Sequence, residues 1–250
     1  MRGLWGLVVA LLLPVMSAQA AIAVVFNGAG TCDGCADTVA QLLRAQHFQV
    51  HLVDQHQLSA ARLQGAQLYV QPGGSDDIMD TLSVLSLEQI RAIQQFVKDG
   101  GAYLGICAGG YLAGQYADHA EGIRAFGLLE LDEVAQELAD TNQAQAIAIQ
   151  LPGESQPRQV YYQAGPHFGT RVPPSGRVLA YYAASKHVAA RLSSFGRGRV
   201  GVIGPHYEAD ASWYLADGLP AQPTQQQLFN QMLDALLAPE VKQRRSNGLD

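Results

Sequence analysis

Apolar residues recur along the chain in two spacings that predict alternating strands and helices. Short, nearly continuous apolar runs, typical of strands buried on both faces, cover residues 22–26, 48–53, 68–70, 102–106 and 200–203. Apolar residues at helical spacing predict amphipathic helices over residues 37–46, 87–98 and 224–237. Ser86 and a Gly-Gly pair bound the second helix, as expected for its caps. The alternation predicts a parallel sheet covered by helices on both faces.

The chain after residue 116 has a different pattern. Residues 144–151, 159–164, 178–184 and 188–193 are short β-rich stretches separated by proline and glycine, which predicts antiparallel additions or hairpins. The sequence has no internal repeat and no interdomain linker. We therefore expect one α/β domain with a β-rich insertion over residues 21–238, and a polar, disordered tail over residues 239–250.

The first twenty residues are typical of a secretory signal peptide. Arg2 precedes an apolar run over residues 4–15, and an Ala-x-Ala cleavage site ends at Ala20. The run is shorter than the roughly 20 residues that a spanning helix needs, although an uncleaved N-terminal anchor is the alternative. Ala21 rather than cysteine follows the cut, which disfavours a lipoprotein. We expect cleavage after Ala20 and a protein secreted to a bacterial periplasm, without stable membrane insertion.

Composition and charge narrow the classes of function. The 250 residues carry a formal net charge of −6, and loss of Arg2 with the signal peptide makes it −7 (−6 − 1). Lysine and arginine are few and scattered outside the C-terminal tail, so we expect no nucleic-acid partner. Hydrophobic residues make up 48% of the chain, which is enough for the core of one sizeable domain.

Cys107 lies in a Gly-x-Cys-x-Gly turn between a predicted strand and a predicted helix. A nucleophile on such a turn needs small neighbours, and the N–H groups that begin the helix can bind an oxyanion. Near the C-terminus, another buried strand runs into His206-Tyr-Glu208, which can supply a base and the carboxylate that orients it. A buried structural cysteine and a structural histidine turn are the alternatives.

Cys32 and Cys35 form a Cys-x-x-Cys pair that has three interpretations: a structural disulfide, a redox-active pair, or half of a metal site. An oxidising compartment favours pairing of these two residues, which leaves Cys107 as the free thiol. A zinc site would need two further ligands, and the sequence has no second Cys-x-x-Cys. We favour the disulfide, and we expect no metal site and no cofactor.

Five segments carry a resemblance to a known family: Val-Val-Phe-Asn-Gly-Ala-Gly-Thr, Gln-Pro-Gly-Gly-Ser-Asp, Gly-Ile-Cys-Ala-Gly-Gly-Tyr-Leu-Ala, Tyr-Tyr-Gln-Ala-Gly-Pro and Gly-Arg-Val-Gly-Val-Ile-Gly-Pro-His-Tyr-Glu. In this order they resemble the biotin-protein ligase N-terminal-domain-like family, within the class I glutamine amidotransferase-like superfamily. The resemblance spans residues 22–237. It implies the class I glutamine amidotransferase-like (flavodoxin-like) α/β fold, a mostly parallel sheet flanked by helices, here with a β-rich insertion.

The resemblance also implies roles for residues. By position, Cys107 would be the nucleophile, His206 its base and Glu208 the group that orients His206. The backbone N–H groups of Gly74 and Ala108 would form the oxyanion hole. One departure from the family pattern is a tyrosine where proline commonly stands between the histidine and the acid, which alters the expected angle of the acid.

Three further residues are candidates for the pocket. Gly73 lies in the glycine turn, and Asp76 follows it, as does Asp77. His167 lies in a Gly-Pro-His-Phe segment that resembles a family loop near the active site. Helix capping or solvation is the alternative for the acids, and a surface loop is the alternative for His167.

Two hypotheses about function belong to different classes of protein, an enzyme and a binding module. The first is a secreted cysteine-dependent hydrolase that attacks a carboxamide or related acyl group of a small or peptide-like substrate through a thioester. The second is a ligand-binding or assembly module that kept the fold and lost turnover, which the lack of a recognisable ammonia-accepting domain favours. A thiol redox protein that uses Cys32 and Cys35 is a third hypothesis. The sequence identifies neither the substrate nor a partner protein.

Overall fold

The computed structural model describes residues 20–131, 134–174, 176–223 and 225–239. Residues 1–19 of the predicted signal peptide and residues 240–250 of the predicted tail lie outside this part of the chain. Among the described residues, no helix combines the length and the apolar character needed to cross a membrane.

Thirteen strands lie within the described residues: β1 (Ile22–Phe26), β2 (Gln49–Val53), β3 (Leu68–Gln71), β4 (Ala102–Ile106), β5 (Tyr116–Asp118), β6 (Ile123–Arg124), β7 (Ala135–Gln136), β8 (Gln145–Gln150), β9 (Arg158–Tyr162), β10 (Pro166–His167), β11 (Arg177–Tyr182), β12 (Val188–Phe195) and β13 (Gly198–Ile203). The same residues form seven helices: α1 (Cys35–Ala45), α2 (Ala60–Leu63), α3 (Met79–Leu82), α4 (Leu87–Lys98), α5 (Ala108–Leu112), α6 (Ala211–Ala216) and α7 (Gln226–Leu237).

One nine-stranded sheet organises the fold, in the order β2-β1-β3-β4-β13-β12-β11-β8-β9. Neighbouring strands are parallel from β2 to β13 and antiparallel from β13 to β9. The α/β fold with a large parallel region is therefore confirmed. The β-rich stretches extend the same sheet, because β12 pairs with the free side of β13 and the later strands follow it outward.

The parallel strands are apolar throughout because both faces of the sheet are covered. In β1, Ala23 and Val25 pack into one apolar cluster together with α1 and α7, whereas Val24 and Phe26 pack into a second cluster together with α4. All four side chains are fully buried. A strand in this position cannot alternate between apolar and polar residues, which explains the continuous runs in the sequence.

Helix α4 has the bounds that its sequence predicts. Ser86 Oγ accepts a hydrogen bond from the Gln89 N–H, and the Gln89 side chain accepts one from the Ser86 N–H, so this end forms a capping box. Helix α1 begins two residues earlier than predicted, directly after left-handed Gly34 (φ 78°). The short helices α2, α3 and α6 were not predicted, because four to six residues are too few to show a helical period.

Strands β4 and β13 are parallel neighbours, and Ile106 is in register with Ile203. Their carboxyl ends therefore lie side by side at one edge of the sheet. Ligands of open parallel sheets bind at this edge. Cys107 follows β4 directly, and His206 follows β13 by three residues, so the topology brings the two predicted site segments together.

Candidate active site

Cys107 has a backbone conformation that side chains other than glycine rarely adopt, with φ 49° and ψ −108°. Its N–H still donates to the Ile203 carbonyl of β13 at 2.9 Å, and its carbonyl accepts from the Gly110 N–H at 2.8 Å. The chain thus turns at this one residue from β4 into α5. Such strain, of order 1–3 kcal/mol, persists only where the surroundings fix the backbone, and it is common at functional sites.

Glycines flank the turn because there is no room for side chains. A Cβ at Gly105 would overlap the Gly109 carbonyl, and a Cβ at Gly109 would overlap the carbonyl of Gln71 at the end of β3. The buried Tyr103 hydroxyl donates to the Gly109 carbonyl at 2.7 Å and fixes α5 from the other face. The small neighbours expected of a nucleophile turn are therefore required here by close backbone contact.

His206 and Glu208 form a buried pair beside the turn. His206 Nδ1 lies 2.8 Å from Glu208 Oε1, and the two residues are 4% and 2% exposed. The His206 N–H donates to the Tyr161 carbonyl at 2.8 Å, which fixes this segment against β9. Tyr207 points elsewhere, into a separate cavity beside α7. The tyrosine in place of proline therefore leaves Glu208 in contact with His206.

The electrostatics of His206 combine opposing effects. Burial alone disfavours the charged imidazolium, but the charges of Glu208 and Cys107 and the hydrogen bond to Glu208 outweigh it and raise the pKa of His206 to about 10. His206 is therefore protonated at neutral pH. Gly73 packs against the side chains of both His206 and Cys107, because a Cβ there would lie 2.5 Å from His206 Cε1 and 3.6 Å from the Cys107 Cβ.

The two N–H groups that the resemblance assigns to an oxyanion hole lie next to Cys107. Gly74 and Ala108 both line a cleft of about 360 Å³ that includes Cys107. Among the described residues, neither N–H has a protein acceptor. The turn that carries Gly74 is held by two backbone hydrogen bonds, from Cys32 N–H to Gly73 O (3.2 Å) and from Ser75 N–H to Gly30 O (2.9 Å).

Asp76 also lines this cleft, as do Asp77 and the Tyr111 ring. The Asn142 side chain donates to Asp76 Oδ2 at 3.0 Å. His167 does not line this cleft. Its ring packs on His187, with ring centroids 4.1 Å apart. His167 pairs with Ala135 of β7, and His187 directly precedes β12.

The thiol of Cys107 is covered by Gln163 and Ala164 of the Tyr-Tyr-Gln-Ala-Gly-Pro segment, neither of which was predicted as a site residue. Cys107 is 6% exposed, and its thiol donates to the Gln163 carbonyl at 3.6 Å. The next residue, Ala164, has a left-handed backbone (φ 50°), and its carbonyl accepts from the Tyr111 hydroxyl at 2.9 Å. Nothing in the local sequence signals this cover, because it depends on where β9 lies in the sheet.

Aromatic rings enclose His206. The Tyr161 ring meets the His206 ring edge-on at 5.7 Å, and Trp213 lies 5.3 Å from it. The Tyr161 hydroxyl donates to Asp217, which holds the ring in place. Tyr161 lies in the predicted β-rich stretch over residues 159–164, whose local pattern could not reveal a contact with a residue 45 positions away.

Cys32 and Cys35 are joined by a disulfide, with their Cα atoms 5.4 Å apart. The bridge lies at the start of α1, and Cys35 is fully buried. Cys107 is the free cysteine among the described residues. The Cys32 N–H contacts the glycine turn of the site, so the bridge stabilises a segment that adjoins the candidate oxyanion hole.

Comparison with known proteins bears out the resemblance. Residues 22–131 match the family described as biotin-protein ligase, N terminal. No curated protein sequence matches the chain. The structure is similar to PurLQS from Thermotoga maritima, at 16% sequence identity and a TM-score of 0.59, over 87% of this chain and 100% of that one.

Two other solved structures have the same fold. A glutamine amidotransferase from Thermotoga maritima is 13% identical with a TM-score of 0.60, over 88% of this chain and 100% of that one. A protein from Bacteroides uniformis described as ThuA-like is 12% identical with a TM-score of 0.56, over 92% and 97%. At such identities, similarity establishes the fold alone. The chain therefore matches the biotin-protein ligase N-terminal family over residues 22–131 and has the class I glutamine amidotransferase-like fold.

Proposed function

We propose that the protein is a secreted cysteine-dependent hydrolase that acts on a carboxamide or a related acyl group. The proposal is carried by one arrangement: a strained Cys107 and a buried His206 both lie against Gly73, and Glu208 holds His206 at 2.8 Å. Gly74 and Ala108, whose N–H groups have no protein acceptor among the described residues, line the same cleft as Cys107. Small-molecule sites have volumes of about 300–1,000 Å³. A cleft of about 360 Å³ suits a small substrate or one side chain of a peptide.

The reaction would proceed in two balanced steps. The Cys107 thiolate attacks the carbonyl carbon, and the N–H groups of Gly74 and Ala108 donate to the oxyanion of the tetrahedral intermediate. His206, protonated at neutral pH, gives its proton to the leaving nitrogen, so ammonia or an amine departs and a thioester remains. Neutral His206 then takes a proton from water, and the hydroxide attacks the thioester. The products are a carboxylate and the free thiol.

Alkylation of the unreduced protein tests the nucleophile. Iodoacetamide labelling, mapped by mass spectrometry across pH, should modify Cys107 at about pH 6–7, where an ordinary thiol reacts slowly. His206→Ala should slow the reaction at neutral pH by about tenfold or more, because the imidazolium that stabilises the thiolate is gone. A matched control is His119→Gln, which changes an exposed histidine and should leave the rate unchanged.

Two results would contradict the proposal. If iodoacetamide does not label Cys107 in the folded protein, the thiolate is not activated. If His206→Ala leaves the labelling rate unchanged, Cys107 and His206 do not act as a pair. Turnover is measured separately, as release of ammonia from a panel of small primary carboxamides, with Cys107→Ser as the inactive control. Labelling without turnover of any member leaves the thiol reactive but places the substrate outside simple amides.

A second candidate function is a binding module without turnover. The cover over the thiol favours it, because the Gln163 carbonyl already accepts the Cys107 hydrogen bond and the residue is 6% exposed. An inert Cys107 together with unchanged folding would support this function. A hydrolase instead requires that substrate displace the Gln163 carbonyl from the thiol.

A further inference from the structure

Three side chains outside the cleft of Cys107 converge where the separate two-stranded β7–β10 pair meets the start of β12. His187 Nδ1 lies 2.9 Å from Glu137 Oε2, and the His187 ring packs against the ring of His167. One potential ligand atom of each residue lies within 4.8 Å of the other two. Glu137 follows β7, His167 ends β10 and His187 directly precedes β12, so the three segments meet only in the folded chain.

The Glu137 carboxylate is buried, so its negative charge needs a compensating cation. The Glu137 side chain is 3% exposed, and its ionic partner His187 carries a charge only when protonated. A buried carboxylate is costly unless a cation or several donors face it. The His187 side chain is 33% exposed, which gives an ion a path from solvent.

The set of donors fits a transition-metal ion. Two imidazoles and one carboxylate are ligands that Zn²⁺ binds at about 2.0–2.2 Å, and they suit it better than Mg²⁺ or Ca²⁺, which prefer oxygen. Two donors on one tetrahedral ion of this size lie about 3.3 Å apart. Glu137 and His187 already meet this separation at 2.9 Å.

His167 has to adjust for an ion to bind. Its ligand atom needs to approach the others by no more than about 1.5 Å, given the 4.8 Å limit and the spacing of donors around zinc. The Gly169 N–H donates to His167 Nδ1 at 3.2 Å. Coordination through Nε2 places the ring proton on Nδ1 and gives up this one long hydrogen bond. A metal–imidazole bond more than offsets a loss of about 1 kcal/mol.

We propose that Glu137, His167 and His187 bind one divalent transition-metal ion of the Zn²⁺ type, with water completing the coordination. The role of the ion is structural. It ties β7, β10 and the start of β12 together, and Gln136 of β7 lines the cleft of Cys107. The site does not depend on whether Cys107 is catalytic.

The test measures binding of Co²⁺ and Zn²⁺ to the unreduced chain, free of metal and of any purification tag. Equilibrium dialysis with elemental analysis gives stoichiometry, and the ligand-field absorption of Co²⁺ reports its ligands. We expect one ion per chain in the wild type. His187→Gln, His167→Gln and Glu137→Gln should each weaken binding by at least about tenfold, since even outer-shell changes have effects of that size. Zn²⁺ should raise the melting temperature of the wild type but not of these variants.

The controls separate this site from the Cys107 thiol, to which a soft ion can also bind. His119→Gln should bind as the wild type does. Cys107→Ser should also retain the ion, and its loss there would assign the ion to the thiol and overturn the proposal. No binding to the wild type, or full binding by both His167→Gln and His187→Gln, would overturn it as well. Circular dichroism of each metal-free variant confirms folding, and three separate variants keep the test decisive if one fails to fold.

Discussion

At the scale of single residues, the charge of His206 links the site to stability. Its pKa in the folded protein is about 10, above its ordinary value of 6.5, because Glu208 and Cys107 outweigh the cost of burial. A histidine with a raised folded-state pKa stabilises the fold fully below its unfolded pKa, and that contribution is lost as pH rises through the folded pKa. The window for this loss therefore extends from about pH 6.5 to 10.

We predict that the difference in unfolding free energy between the wild type and His206→Gln is constant below about pH 6.5 and shrinks above it. The loss should reach at most about 1.4 kcal/mol for each pH unit up to pH 10, since one proton is linked to folding. Urea unfolding at several pH values measures it. His119→Gln should show no such trend, and a difference that grows with pH would contradict the charged state of His206.

At the scale of elements, the packing of α5 against β3 explains the second glycine of the turn. A Cβ at Gly109 meets backbone, which cannot yield as a side chain can. We predict that Gly109→Ala lowers the unfolding free energy by about 1–3 kcal/mol, as overpacking does. The comparison is Gly114→Ala. Its Cβ would lie nearest to a Val134 methyl, at 3.1 Å, so its unfolding free energy should fall by less than that of Gly109→Ala. Equal decreases in unfolding free energy for the two variants, measured by thermal unfolding, would argue against backbone overlap at Gly109.

The Cys32–Cys35 disulfide also contacts the edge of the sheet that carries the candidate site, because the Cys32 N–H donates to the Gly73 carbonyl. A loop as short as that between Cys32 and Cys35 is expected to contribute about 2 kcal/mol. Replacing both cysteines by alanine should lower the unfolding free energy by this amount. The hydrogen bond from residue 32 to the Gly73 carbonyl belongs to the backbone and remains, so labelling of Cys107 should change by less than about tenfold. A tenfold change or more would mean that the bridge itself positions the turn.

At the scale of the whole molecule, the predicted cleavage site adjoins the fold closely. The Ala21 carbonyl accepts from the Gln49 N–H at 2.8 Å, and β1 begins at the next residue and lies between β2 and β3. We predict that the protein secreted by a bacterial host begins at Ala21, as measured by intact mass and N-terminal sequencing. A cut beyond residue 22 would remove part of an inner strand and is expected to prevent folding. A chain that keeps residues 1–20 would contradict secretion with cleavage.

Local patterns in the sequence were sufficient for several elements and for the outline of the site. The apolar run and flanking glycines around Cys107 predicted a strand, a turn and a helix, because each depends on neighbours within a few residues. The positions of His206 and Glu208 after a buried strand predicted their place at the sheet edge. The contact between these segments follows from the pairing of β4 with β13, which the sequence alone did not specify.

The sequence by itself determined the α/β class, the parallel core and the segments that carry the candidate nucleophile and base. Tertiary structure alone decided the order of the strands, the Gln163 cover over the thiol, the Tyr161 ring beside His206, and the meeting of Glu137, His167 and His187. The physical reason is the separation along the chain between the residues that determine each feature. Periodicity, caps and turns are set by neighbours along the chain, whereas these contacts join residues that are far apart in the sequence and meet only in the folded chain.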